Sequence, residues 1–341
     1  IRHRLITEDE VLQATLARYA PSTAQKVVQE VFWRTYWKGW LELRPGVWAD
    51  YKTGLHAALN RVQTESGLRA NFHAACAGDT GIDCFDHWAR ELTATGYLHN
   101  HARMWFASIW IFTLELPWRI GADFFLRHLL DGDPASNTLG WRWVAGLHTR
   151  GKAYQARPAN IAKYTNQRFA PRGSDLASTI EALDAAEPDG LPPVSPVRAA
   201  AAPAFGTPTA LLITEEDCQL EDFAPDRLDL RAVATLGAGH LRSPRPVAAE
   251  VGRFEAGALA DAAERLKVTH ETLTAGDPAE LADWARAAGA RQIATAYVTE
   301  GPLRDWHRSA EPALADAGIA LCEWQRDWDT AIWRYATAGF F

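Results

Sequence analysis

Over the first 170 residues the apolar positions recur three and four apart, the period of a helix face; over the last 134 they fall in short unbroken runs. Thr7-Glu8-Asp9-Glu10 has the form of a capping box ahead of Val11, Leu12 and Leu16, and Ser22 to Gln25 repeats it ahead of Val27, Val28, Val31 and Phe32. Cys84 to Thr95, Leu98 to Leu116 and Ala122 to Leu130 keep the helical spacing. Turns at Arg44-Pro45-Gly46, Gly78 to Gly81 and Asp131-Gly132-Asp133-Pro134 separate them. Residues 171–207 are dominated by Ala, Pro and Gly and read as a linker laid over a surface. Beyond Thr207, strand-like runs at Thr209 to Thr214, Arg231 to Leu236, Val268 to Leu273, Gln292 to Val298 and Ile319 to Glu323 alternate with helical patterns at Ala248 to Leu266, Pro278 to Ala288 and Leu303 to Ala317. That alternation predicts a parallel, doubly wound sheet. The expected fold class is α followed by α/β, with an all-helical domain over 1–170, the linker over 171–207 and the sheet domain over 208–341. No GxGxxG or Walker loop accompanies the sheet, so it either holds a ligand outside its strand C-termini or only supports the helical domain.

Charge divides along the same line. Residues 1–174 carry a net +6 and residues 175–341 a net −13, inside a total of −7. A basic first half can face a polyanion where a uniformly acidic chain would be repelled. Of 15 Trp, ten lie before residue 150, against a single Met in the whole chain. Leu would fill a helical core with fewer constraints, so the indoles suggest stacking on flat rings or one-electron chemistry. Cys76, Cys84, Cys218 and Cys322 are scattered with no CxxC, which argues for reduced thiols rather than a disulfide frame, a zinc site or an iron–sulfur cluster. No metal site is expected. No apolar run has membrane-spanning length and no signal-peptide pattern is present, so a soluble cytoplasmic monomer is expected. A first residue Ile1 rather than Met points to the inside of a longer chain.

Candidate chemistry gathers between Thr95 and Trp143. Asn100 and Arg103 share a presumed helix turn with Met104 beside them, and Asp131-Gly132-Asp133 presents two carboxylates before Asn137 and Trp141-Arg142-Trp143. Two carboxylates, an Arg and an amide suit the polar edge of a flat heterocycle. Taken singly, Arg103 and Asp131 also read as a surface ion pair and Asp131 to Pro134 as an ordinary turn.

In combination these residues resemble a known family. Thr95-Gly-Tyr-Leu-His-Asn-His-Ala-Arg-Met104, then Trp118, then Leu130-Asp-Gly-Asp-Pro-Ala-Ser-Asn-Thr-Leu-Gly-Trp-Arg-Trp143 is similar, with ungapped spacing, to the signature of the flavin-binding domain of the DNA photolyase/cryptochrome family. Glu30-Val-Phe-Trp33-Arg34 and Gly81 to Leu92 resemble two further segments of it. His101, Thr35 and Tyr97 stand where the family usually has Arg, Glu and Trp, and the stretch Lys152 to Tyr164 replaces the family's usual segment after Trp143.

The resemblance implies FAD as cofactor. Arg103 and Asp131 would pair beside the isoalloxazine, Asp133 would bind its pyrimidine edge, Asn137 would face N5, and Gly132 would belong to the same cofactor-binding set. Arg34 would help hold the adenine-dinucleotide part. It also implies light-driven repair of cyclobutane pyrimidine dimers in damaged DNA, with Trp141 and then Trp118 as electron donors and Glu30 stabilising the radical anion. Trp33, Asn100, Met104 and Trp143 would line the lesion pocket. Trp48, Trp37 and Trp40 are candidates for a third donor. The competing reading is a cryptochrome-like photoreceptor without repair. The C-terminal α/β domain resembles the family's antenna domain in reversed order, and no residue identifies a second chromophore.

Overall fold

Thr7 closes the first helix of the chain as the spacing predicts: its hydroxyl accepts from the Glu10 amide, and the Glu10 carboxylate accepts from the Thr7 amide at 2.7 Å. The second helix departs from expectation. It begins at Pro21 with Ala20 as cap and no side-chain cap bond, so Ser22 lies inside it. Proline fixes the first helical φ and brings no amide that needs a partner, which places the helix start at Pro21.

The computed structural model describes residues 1–338. They fall into two compact units, one of residues 44–193 and one that joins 1–43 to the chain from Val194 onward. The divisions thus lie at Leu43 and Pro193 rather than near 170 and 207. The first two helices, α1 (Glu8–Arg18) and α2 (Pro21–Glu42), belong with the sheet. Polar contacts explain why: Lys38 reaches Glu216 at 3.0 Å and Thr299 at 3.2 Å, and the Tyr297 hydroxyl donates to Glu42 at 2.7 Å.

The helical unit contains α3 (Pro45–Thr64), α4 (Ser66–Ala77), α5 (Asp83–Thr95), α6 (Asn100–Ser108), α7 (Trp118–His128), α8 (Pro134–Val144) and α9 (Pro158–Tyr164). The expected single helix over Leu98 to Leu116 changes its hydrogen-bond pattern midway, where Ile109–Thr113 form a π-helical turn. That turn brings Trp110 into an aromatic core, with Phe85 on Phe106 at 4.2 Å and Trp110 edge-on to Trp141 at 6.2 Å between centroids. Gly121 of α7 makes room for this core: a Cβ there would lie 2.4 Å from the Trp141 ring and 2.8 Å from the Trp110 nitrogen.

The other unit carries β1 (Pro208–Thr214), β2 (Asp229–Gly237), α10 (Ala249–Leu266), β3 (Glu271–Thr274), α11 (Ala279–Ala287), β4 (Gln292–Ala296), α12 (Pro302–Asp316), β5 (Ala320–Trp324) and α13 (Asp327–Trp333). All five strands pair in parallel in the order β3-β2-β1-β4-β5. The β1 sequence alternates between faces, as a strand must. Ala210 and Leu212 pack with Leu281, Leu303 and Ala310 of α11 and α12, whereas Leu211 and Ile213 pack with Leu259 and Ala262 of α10. Both faces are covered, which is the doubly wound sheet the alternation predicts. The fold class is therefore the expected one.

In such sheets ligands sit outside the strand C-termini where the order reverses, here between β1 and β4. The residues that follow β1 are engaged by the chain's own first residues. Arg2 pairs with Glu216 at 2.8 Å, the Cys218 amide donates to the His3 carbonyl at 2.8 Å, and Arg4 meets Asp217 at 3.1 Å. Among the described residues no helix is long and apolar enough to cross a membrane. Cys84, Cys218 and Cys322 are buried and Cys76 half-buried; burial pushes the Cys84 and Cys218 thiols up to about 12.

Candidate functional site

Arg103 lies on the first turn of α6, and its Nε donates to the Leu98 carbonyl at 2.8 Å just ahead of that helix. With the guanidinium stem fixed in this way, one terminal nitrogen reaches both Asp131 oxygens at 3.0 Å. The pair is partly solvated, with side chains 25% and 47% exposed. Arg103 also lies over the Tyr97 ring at 5.8 Å.

Two residues on, Asp133 is buried and caps α8: its Oδ1 accepts from the Ser136 amide at 2.8 Å, and Pro134 takes the first helical position. Between the two carboxylates Gly132 is buried and donates to the Leu129 carbonyl at 3.1 Å. Asn137, buried one turn later, donates its amide nitrogen to the Ala122 carbonyl of α7 at 2.8 Å. That bond fixes the plane of the amide and leaves its oxygen and one N–H for another partner. The turn thus gathers an ion pair, a second carboxylate and an amide at the starts of α6 and α8. The capping duty of Asp133 is readable from Asp before Pro at a helix start. The role of the Ala122 carbonyl has no sequence signal.

The tryptophans divide into separate surroundings. Trp141 is buried against Phe125, Trp110 and Phe106, and its indole N–H has no hydrogen-bond partner among the described residues. Trp118 is buried 5.9 Å from the Tyr51 ring, which stacks on Trp48 at 5.2 Å. Of the three candidates for a third donor, Trp48 is therefore the one in the helical unit with a ring neighbour leading to Trp118. Trp37 and Trp40 lie on α2. Tyr51 was missed, although Val47, Trp48, Tyr51 and Leu55 form one apolar face of α3. Trp143 is half-buried and stacked on Tyr154 at 5.3 Å; Met104 is half-buried and Asn100 exposed.

Glu30, Trp33 and Arg34 lie on α2, in the unit of the sheet. Glu30 is exposed there, and Trp33 stacks on Trp37 at 5.2 Å and meets Tyr36 edge-on at 5.4 Å.

Fold and polar cluster define a class: a helical domain with an aromatic core and a charged turn, in one chain with a doubly wound α/β domain. Residues 27–185 match the family described as the FAD binding domain of DNA photolyase. Over 159 residues the chain is 35% identical to the deoxyribodipyrimidine photo-lyase of Streptomyces griseus, covering 46% of this chain and 32% of that protein. It is 33% identical over 127 residues to the photo-lyase of the same description from Escherichia coli, covering 37% of this chain and 26% of that one. The Neurospora crassa photo-lyase is 31% identical over 159 residues, covering 47% and 25%. The chain thus spans about a third or less of the length of these relatives. Residues 27–185 are thus similar to the FAD-binding domain of DNA photolyases.

Proposed function

We propose that the chain binds FAD in its helical unit and uses it under blue light to repair cyclobutane pyrimidine dimers in DNA by one-electron transfer. The observation that carries this reading is the set of Arg103, Asp131, Asp133 and Asn137, gathered at two helix starts inside the FAD-binding match. The donor set fits the group. The pyrimidine edge of a flavin offers carbonyl acceptors and an N–H donor, and a buried carboxylate with a buried amide supplies the complement. Bound there in its fully reduced form, FAD would supply light absorption and the transferable electron.

The chain's own side chains bind, orient and exclude water. Asp133 accepts from the ring N–H with the carboxylate that also caps α8, and Gly132 keeps the approach free of a side chain. Asn137 presents an amide whose orientation the Ala122 carbonyl fixes. Arg103 balances Asp131, so that carboxylate adds no net charge to the turn. Trp141 and Trp118 serve as donors, and the ring series Trp118–Tyr51–Trp48 gives the path a continuation within the helical unit. Glu30, Trp33, Arg34, Asn100, Met104 and Trp143 take the substrate and dinucleotide roles that the resemblance implies. Glu30 would hydrogen-bond the dimer as charge develops on it, and a lesion that already weakens stacking lowers the cost of extrusion.

The second reading, a blue-light photoreceptor without repair, draws on His101 and the replaced segment after Trp143. One experiment separates them. Purified protein loaded with FAD is illuminated with an oligonucleotide bearing a thymine dimer, and intact thymines are counted by chromatography. Restored thymines support repair; photoreduction without restoration supports the photoreceptor. Failure to retain FAD would sink both.

A further inference from the structure

The stretch that replaces the family's usual segment has a charge pattern of its own. Residues 134–174 contain seven Lys and Arg and no Asp or Glu. Arg142 is buried against Glu187, and Arg150 donates to the carbonyls of Glu187 and Asp184. The remaining five, Lys152, Arg157, Lys163, Arg168 and Arg172, are exposed.

The same stretch is tied back onto α6. The Ala156 amide donates to the Ser108 hydroxyl at 2.8 Å, and the Trp105 indole donates to the Asn160 side chain at 3.0 Å. This anchoring stacks the Tyr164 ring, at the end of α9, on His101 at 4.9 Å with planes 15° apart. His101 in turn lies 5.3 Å from His99 at 16° and 5.5 Å from Trp105 at 23°. Four rings are therefore nearly parallel. The innermost, Trp105, is buried, and Tyr164 keeps 53% of its surface in contact with solvent. Lys163 sits over the Tyr164 ring at 5.2 Å, so a cation and an open aromatic face occur together.

A phosphate-reading surface for duplex DNA needs cations but no open ring faces. A surface for unpaired nucleotides needs both, because every base has a π face and every linkage a charge. We propose that Tyr164 and the His99–His101 stack form a base-stacking platform for single-stranded DNA, with Lys163 and its exposed basic neighbours holding the phosphates. The inference rests on the repair reading for its choice of DNA and adds to it a contact for undamaged, unpaired nucleotides.

The test uses the full chain and two fluorescein-labelled probes, an oligothymidylate and an undamaged duplex, with anisotropy measured over a range of salt. Tyr164→Ala is expected to weaken oligothymidylate binding about tenfold, to change duplex binding less than about twofold and to leave the salt slope unchanged. Tyr164→Phe, which keeps the ring, should restore the affinity, and this separates lost stacking from misfolding. Lys163→Ala should weaken both probes and reduce the salt slope by about one. Equal loss on both probes in Tyr164→Ala, no loss on the single strand, or no single-strand binding by the parent protein overturns the proposal. Dimer repair is assayed beside it: no repair with Tyr164-dependent single-strand binding intact removes the repair reading alone, and repair without that dependence removes the platform alone.

Discussion

Tyr297 donates its hydroxyl proton to Glu42 at 2.7 Å, joining the end of β4 to the last residue of α2. The Glu300 amide donates to the other oxygen at 2.5 Å, and Arg198 lies over the Tyr297 ring at 4.2 Å. Burial outweighs these bonds and raises the Glu42 carboxyl from the usual 4.5 to about 7. Below pH 4.5 the group is protonated folded or unfolded, and its burial carries no charge. As pH rises from 4.5 to 7 the unfolded chain ionises first, and stability falls by about 3 kcal/mol before levelling off. Denaturant midpoints at pH 5 and pH 8 should differ in that direction, and Glu42→Gln should remove most of this contribution.

Arg4 is the hub of a second buried cluster in the same unit, 2.7 Å from Asp329, 3.1 Å from Asp217 and 3.3 Å from Glu8. Replacing it with Met leaves buried carboxylates short of their cation, a loss of about 3–5 kcal/mol. Asp217 keeps Arg326, whereas burial already raises the Asp329 carboxyl despite Arg4. Asp329 should therefore take up a proton in the variant as pH falls. Urea melts should show Arg4→Met more strongly destabilised at pH 8 than at pH 5.

Much of this was legible in the sequence because it is local. The Thr7 capping box needs only residues within one turn, and the sheet follows from apolar runs alternating with helices. The Arg103–Asp131 pair, 28 residues apart, was expected from the combined motif rather than from either residue. The membership of α2 was not legible. It depends on Lys38 and Glu42 meeting residues more than 170 positions away, and no periodicity encodes a partner at that distance. The start of α2 was misread because Ser22 and Gln25 imitate a cap, while Pro21 sets the boundary by its fixed φ.

The Arg103–Asp131 pair also separates structural from binding roles. With side chains 25% and 47% exposed it contributes only about 0–1 kcal/mol to folding, so Arg103→Ala should leave the melting temperature nearly unchanged. If the pair balances charge beside bound FAD, the same substitution should raise the FAD dissociation constant about tenfold or more. Flavin fluorescence titration of a refolded apoprotein checks it. A large fall in melting temperature with unchanged FAD affinity would falsify the assignment.

Tyr51 presents the opposite case, a buried ring with an unused polar end. It is 1% exposed, stacks on Trp48 and approaches Trp118, yet its hydroxyl has no hydrogen-bond partner among the described residues, and burial holds its pKa well above the usual phenol value. A buried hydroxyl without a partner costs about 1–3 kcal/mol, so Tyr51→Phe should raise stability by about 1 kcal/mol while keeping the ring. The same geometry bears on the donor series. A tyrosine that gives up an electron must also shed its phenolic proton, and this hydroxyl has no acceptor beside it. Tyr51 should then pack between Trp118 and Trp48 without serving as the stopping point of a radical. Photoreduction should survive Tyr51→Phe and be slowed by Trp48→Phe; transient absorption of the two variants, each with its melting curve, decides between a packing and a redox role for Tyr51.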